Sequence, residues 1–131
     1  VVRAVWRKVL VVEDDEPLRE VYRTALRAAG YSVAAVEDGA DALRQIEQSV
    51  PAVVVLDLGL PRLGGRDVHN ELKSRHDTCH IPIVVVTGTD VSDADAKHFA
   101  CVLRKPFDTD RLIAAVEQCL RRANGGLFQL S

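Results

Sequence analysis

Three short runs of this chain are apolar without a break and rich in β-branched residues. They are Val9-Leu10-Val11-Val12, Val53-Val54-Val55-Leu56 and Ile83-Val84-Val85-Val86. A strand with one face in water alternates apolar and polar residues. A strand buried on both faces does not, and continuous Val/Ile/Leu runs are the mark of a parallel sheet covered by helices on both sides. Each run also ends in polar groups: the first in Glu13-Asp14-Asp15, the second in Asp57, the third in Thr87. A shorter run, Cys101-Val102-Leu103-Arg104, ends in Lys105-Pro106. If these runs are neighbouring parallel strands, acids, a hydroxyl and an ammonium meet at one sheet edge.

The segments between the runs read as helices. Pro17 is favoured at a first helical position. After it, Leu18, Val21, Tyr22, Ala25, Leu26 and Ala29 follow helical spacing up to Gly30, a helix stop. Tyr31–Val36 predicts a second strand, and Asp38-Gly39 turns the chain into a helix carrying Leu43 and Ile46. Pro51 bars that helix from continuing. Gly64-Gly65 breaks the chain before a helix with Val68 and Leu72. Ser92–Phe99 is weakly helical. Asp108 can cap a last helix, with Phe107 stapled onto Leu112 and with Leu112, Val116, Cys119 and Leu120 on one face. Five strand–helix units imply an α/β three-layer sandwich with right-handed crossovers.

At 131 residues the chain is long enough for one domain with a real core. Residues 8–123 are expected to form it, with 1–7 an N-terminal extension and 124–131 a tail or the start of a linker. A net charge of −2 gives no global pull towards nucleic acid, and no apolar stretch approaches the roughly 20 residues of a membrane span. The expected partners therefore include neither nucleic acid nor membrane. Three cysteines, Cys79, Cys101 and Cys119, include no Cys-x-x-Cys pair, which fits reduced thiols and a cytoplasmic setting. Cys101 and Cys119 read as small core residues. The absence of methionine implies a chain that was processed, trimmed or cut from something longer.

Ligands of open parallel sheets bind beyond the carboxyl ends of the strands, where strand order reverses. If the first and third strands adjoin there, about 4.8 Å apart, Asp14 and Asp57 share a crevice. Clustered carboxylates repel each other unless a cation neutralises them, and an all-oxygen set favours a hard ion such as Mg²⁺. An aspartate can attack phosphorus and form an aspartyl-phosphate. Charge then spreads over three oxygens, so positioning and charge stabilisation do most of the work. Thr87 can donate to one oxygen, and Lys105 can reach across as a mobile charge. Gly88 leaves room above the acceptor. Pro106 biases Lys105 to an extended backbone, and the bond between them is a candidate cis peptide.

Taken in order, Val-Val-Glu13-Asp14-Asp15, Asp57-Leu-Gly-Leu-Pro61, Thr87-Gly88 and Lys105-Pro106-Phe107 resemble the receiver domain of two-component response regulators. The resemblance spans about Lys8 to Ala123. It implies a flavodoxin-like doubly wound (βα)5 fold with sheet order 2-1-3-4-5. It implies that Asp57 is the phospho-acceptor, Asp14 a direct Mg²⁺ ligand, Glu13 a ligand through water, and the Gly59 carbonyl the third protein ligand. Thr87 matches the switch hydroxyl and Lys105 the conserved-type lysine. The implied donor is a phosphohistidine on a sensor histidine kinase or a histidine phosphotransfer protein. The implied target is a downstream protein or a covalently linked effector domain. Output would run through the face of the fourth helical segment, fifth strand and last helix, which would also serve a homodimer.

Two departures stand out. Receivers usually carry Tyr or Phe three residues before the lysine, and here that position is Val102. The stretch from Thr87 to Lys105 is also shorter than usual. Phe99 is a candidate substitute aromatic. These departures motivate a second reading, an atypical receiver acting as a phosphorylation-independent interaction module. A third, an aspartyl-phosphate phosphatase, is weaker because Gly59 stands where a general acid would be expected. Asp15 reads as a helix N-terminal charge, and His76-Asp77-Thr78-Cys79-His80 as a solvated loop in place of a zinc site.

Overall fold

The apolar runs form strands where their composition predicts them. The computed structural model describes residues 7–60, 63–88, 99 and 101–130, with side chains described to residue 123. It contains β1(Lys8–Val12), β2(Ser32–Val36), β3(Val53–Asp57), β4(Ile83–Thr87) and β5(Cys101–Arg104). All pairings are parallel and the order is β2-β1-β3-β4-β5. The described helices are α1(Glu16–Ala28), α2(Gly39–Gln48), α3(Gly65–Ser74) and α4(Thr109–Leu130). The helical segment expected at 92–99 lies outside the described residues, apart from Phe99.

The continuous apolar runs split into two faces. Val9, Val11, Val53, Val55, Val84 and Val86 pack with Tyr22 and Leu26 of α1 and Leu112 and Val116 of α4. Leu10, Val12, Val54, Leu56, Ile83 and Val85 pack with Ala42 and Ile46 of α2 and Val68 and Leu72 of α3. Successive residues of one strand therefore serve opposite layers, so no position in these strands can be polar until the strand ends. Each such side chain contributes about 1.5–3 kcal/mol by burial, against about 1 kcal/mol for a helix cap. The two packed faces, not the caps, set the architecture.

The caps set where helices begin and end. Asp15 accepts from the Leu18 N–H at 3.2 Å, Asp38 from Asp41 at 2.8 Å and Asp108 from Arg111 at 2.9 Å. Asp15 is thus an N-cap, in keeping with a helix N-terminal charge. Gly30 takes φ 101° just beyond α1, a backbone that L side chains rarely adopt. Phe107 stacks on Tyr22 with ring centroids 5.5 Å apart, and both share a core cluster with Leu112. The chain leaving β5 is thereby pinned to α1.

Two expectations need correction. Val21, counted on the buried stripe of α1, is 49% exposed, because Tyr22 and Leu26 take the core-facing line and Val21 falls at its edge. Cys101 is only half-buried, since β5 is an edge strand with β4 on one side only, whereas Cys119 is buried. Residues 124–130 continue α4 as helix to Leu130. Extending a helix adds a hydrogen bond for each residue fixed, which offsets the weak propensity of Gly125 and Gly126. Among the described residues no helix is long and apolar enough to cross a membrane.

Candidate phosphoryl-acceptor site

The register aligns the strand ends. Val12 pairs with Leu56, Asp57 with Val86 and Thr87 with Arg104. The polar residues that stop each run therefore sit side by side at the carboxyl edge. Past β5 the Lys105 N–H donates to the Thr87 carbonyl at 2.8 Å, which carries Lys105 over β4 towards Asp57. The Lys105–Pro106 peptide is cis, as the sequence suggested.

Asp57 is buried, and each of its oxygens has a partner. The Gly59 N–H donates to Oδ1 at 2.8 Å, and Lys105 Nζ donates to Oδ2 at 3.2 Å. Glu13, one residue past β1, is 1% exposed and lies with Oε1 2.8 Å from Lys105 Nζ. Its Oε2 accepts from the Asp15 N–H at 3.3 Å, and its carbonyl accepts from Arg19 Nη1 at 2.9 Å. The start of α1 thus holds Glu13 in place. Asp14 is exposed, yet one oxygen from each of Glu13, Asp14 and Asp57 lies within 4.8 Å of the others.

Lys105 is the single described ammonium facing this carboxylate cluster. Burial pulls its pKa down, but Glu13 and Asp57 outweigh burial and the net shift is upward. Glu13 is pushed from 4.5 to about 7, first by burial and then by Asp57, with Lys105 opposing. Its Oε1 is the one buried side-chain oxygen among the described residues without a well-directed hydrogen bond, despite the ion pair. A carboxylate in that condition favours either a proton or a cation. The donor set, three carboxylates and no sulfur or imidazole, fits a hard divalent ion.

An open cleft above Asp57 is lined by Gly59, Arg66, Thr87, Gly88 and Lys105 among others. Thr87, Gly88 and Lys105 therefore join Asp57 as the strand ends implied. Among the described residues a Cβ added at Gly88 meets nothing within 4 Å, so the room over Asp57 does not require glycine there. Val102 is half-buried opposite Val85. The 76–80 segment forms a turn in which Thr78 is buried and donates from Oγ1 to the Leu72 carbonyl at 2.7 Å. Its histidines and Cys79 join no metal-holding cluster among the described residues.

Sequence reasoning missed Arg66, His69 and their relation to Phe99. Arg66 lines the cleft, and its guanidinium carbon lies 5.8 Å from the Phe99 ring centroid. His69 is buried and meets Phe99 edge-on at 4.8 Å. One available signal was a cation at the second position of α3, where the helix dipole disfavours it.

The comparisons agree with this geometry. The family model for the response regulator receiver domain matches residues 9–117. Response regulator MprA of Mycobacterium sp. (strain KMS) is 40% identical over 124 residues, covering 89% of this chain and 52% of that protein. MprA of Mycobacterium leprae (strain TN) is 38% identical over 122 residues, covering 88% of this chain and 51% of that protein. The chain thus spans about half the length of these curated relatives. Among solved structures, a signal receiver domain described as that of a Luxo repressor protein from Vibrio parahaemolyticus superposes with TM-score 0.84 at 30% identity, covering 97% of this chain and 99% of that one. The Francisella response regulator 1452 receiver domain gives TM-score 0.80 at 26% identity, covering 88% and 98%. This chain belongs to the response regulator receiver domain family. Its flavodoxin-like order, implied by the resemblance, is the order observed.

Proposed function

We propose that this domain is a phosphoryl-accepting switch in a two-component system, with Asp57 as the acceptor. The observation that carries the reading is the buried triad in which Lys105 pairs with both Asp57 and Glu13 beside Asp14. The donor is a phosphohistidine on a sensor histidine kinase or phosphotransfer protein. An Asp57 oxygen attacks the phosphorus, the bond to the histidine nitrogen breaks, and the imidazole leaves neutral once it takes up a proton. The Gly59 N–H, 2.8 Å from Oδ1, fixes the carboxylate plane during attack. Lys105, 3.2 Å from Oδ2, follows the charge as it passes to the phosphoryl oxygens, and Thr87 donates its hydroxyl to one of them. Asp14, Asp57 and the Gly59 carbonyl would hold Mg²⁺, with Glu13 acting through water. Mg²⁺ supplies charge neutralisation for the acidic cluster and the incoming phosphoryl group. The domain promotes its own modification and is a switch, not a turnover enzyme. Its output passes to a downstream protein or a linked effector domain through the β5–α4 face.

Proton linkage gives one prediction. Glu13 has a raised pKa in the folded state, so its favourable contribution is fully present below about 4.5 and is lost as pH rises through about 7. Mg²⁺ must displace that proton, so metal binding competes with acid. The Mg²⁺-induced rise in Tm should be larger at about pH 8 than at about pH 6. Equal rises in differential scanning fluorimetry would count against Glu13 serving the metal.

The switch itself is tested with beryllofluoride, a phosphoryl mimic. Titrated with Mg²⁺, it should shift amide resonances at the strand ends of the wild type and leave Asp57→Ala unmoved. If neither protein responds, or both respond alike, the switch reading fails. Val102 favours the second reading, a phosphorylation-independent interaction module, and a silent wild type is the result that module predicts. Hydrolysis of an exogenous phosphoester by wild type, lost in Asp57→Ala, would instead mark a phosphatase.

A further inference from the structure

Resting on the switch reading above, we propose that Arg66 is a phosphoryl-contacting residue that carries occupancy of Asp57 to Phe99, in place of the aromatic absent at Val102. Arg66 and Lys105 line the same cleft over Asp57. The placement follows from backbone packing. A Cβ built on Gly65 would sit 2.2 Å from the Asp57 carbonyl oxygen, so the first turn of α3 lies directly against the acceptor strand. The side chain one residue on is then delivered to the mouth of the cleft.

Charge balance says what the guanidinium does there. With Asp57 phosphorylated, Glu13, Asp14 and a dianionic acyl phosphate outweigh Lys105 and a divalent ion by about one unit of negative charge. A planar, permanently charged guanidinium is suited to supply that unit and to bind two phosphoryl oxygens at once.

The same guanidinium rests over the Phe99 ring at 5.8 Å, and Phe99 is buried against the edge of His69 on α3. Phosphorylation draws Arg66 off the ring and onto the phosphoryl oxygens. Of these two interactions the charge-assisted hydrogen bond is the stronger. Phe99 and His69 then repack, so occupancy of Asp57 is felt at Phe99, two residues before β5, on its way to the β5–α4 face. Val102, half-buried opposite Val85, takes no part.

Beryllofluoride with Mg²⁺ is titrated into the full chain as wild type, Arg66→Gln and Asp57→Ala. Bound fluorine is followed by ¹⁹F NMR, and the Phe99 ring and His69 imidazole by ¹³C-resolved spectra. In the wild type both side chains should shift on saturation. In Arg66→Gln the mimic should still bind, about tenfold more weakly, and at saturation Phe99 and His69 should stay where they were. Wild-type affinity in Arg66→Gln, or Phe99 shifts equal to those of wild type, would overturn the proposal while leaving Asp57 as acceptor. Failure of the wild type to bind the mimic would instead remove the switch reading, and this one with it.

Discussion

Asp57→Asn is expected to abolish phosphoryl uptake from phosphoramidate in the presence of Mg²⁺, a fall of at least about 10²-fold at matched donor concentration. The substitution keeps the shape of the side chain but replaces an anionic nucleophile with an amide of negligible reactivity towards phosphorus. No neighbour is placed to substitute for it. Glu13 is held by Asp15, Lys105 and Arg19 through three separate contacts, and it is pushed towards its protonated form. Asp14 is exposed, whereas the Gly59 N–H and Lys105 between them fix both oxygens of Asp57. The fold should survive, because the removed charge is one of three mutually repelling carboxylates. Intact-mass spectrometry reads the gain of one phosphoryl group directly. Uptake by Asp57→Asn at a rate near that of wild type would show that another side chain is the acceptor.

The strand layers and the place of Asp57 at a strand end were legible because both are properties of short runs. A strand packed on two apolar faces has no place for an unpartnered polar residue, so where Val53–Leu56 gives way to Asp57 the chain must be leaving the apolar layers for a site that supplies partners. Parallel alignment then brings successive run ends together, and this is why Glu13, Asp57, Thr87 and Lys105 could be grouped before any coordinates. What stayed hidden depends on pairs distant in sequence. Arg66 meets Phe99 only because α3 packs beside the end of β3, and neither residue advertises the other. Val21 was misplaced because helical spacing defines a stripe without saying where its edges lie. The helical form of residues 124–130 was not legible because Gly125-Gly126 signals a break, while helix propagation tolerates the cost.

Gly65→Ala should be the most damaging single-methyl change in the chain's described part, lowering the free energy of unfolding by about 3 kcal/mol or more. Inside a helix, alanine is ordinarily favoured over glycine by about 1 kcal/mol, so propensity alone predicts the opposite sign. Sterics decide. The added carbon would lie 2.2 Å from the Asp57 carbonyl oxygen and 2.6 Å from Leu58 Cα. Both are main-chain atoms of β3 and its exit, and neither can swing aside as a side chain would. Relief requires moving α3 outward, which unpacks Val68 and Leu72 from Leu10, Val54 and Leu56, or displacing the loop that carries Gly59. Either movement also spoils the aim of Asp57, so phosphoryl uptake should fall together with stability. Gly88→Ala is the matched control. Its added carbon meets nothing within 4 Å among the described residues, and stability should stay within about 0.5 kcal/mol of wild type. Urea denaturation of both variants checks the pair. A Gly65→Ala protein as stable as wild type would mean that α3 does not bear on β3 as closely as the geometry requires, and the route by which Arg66 reaches the cleft would lose its physical basis.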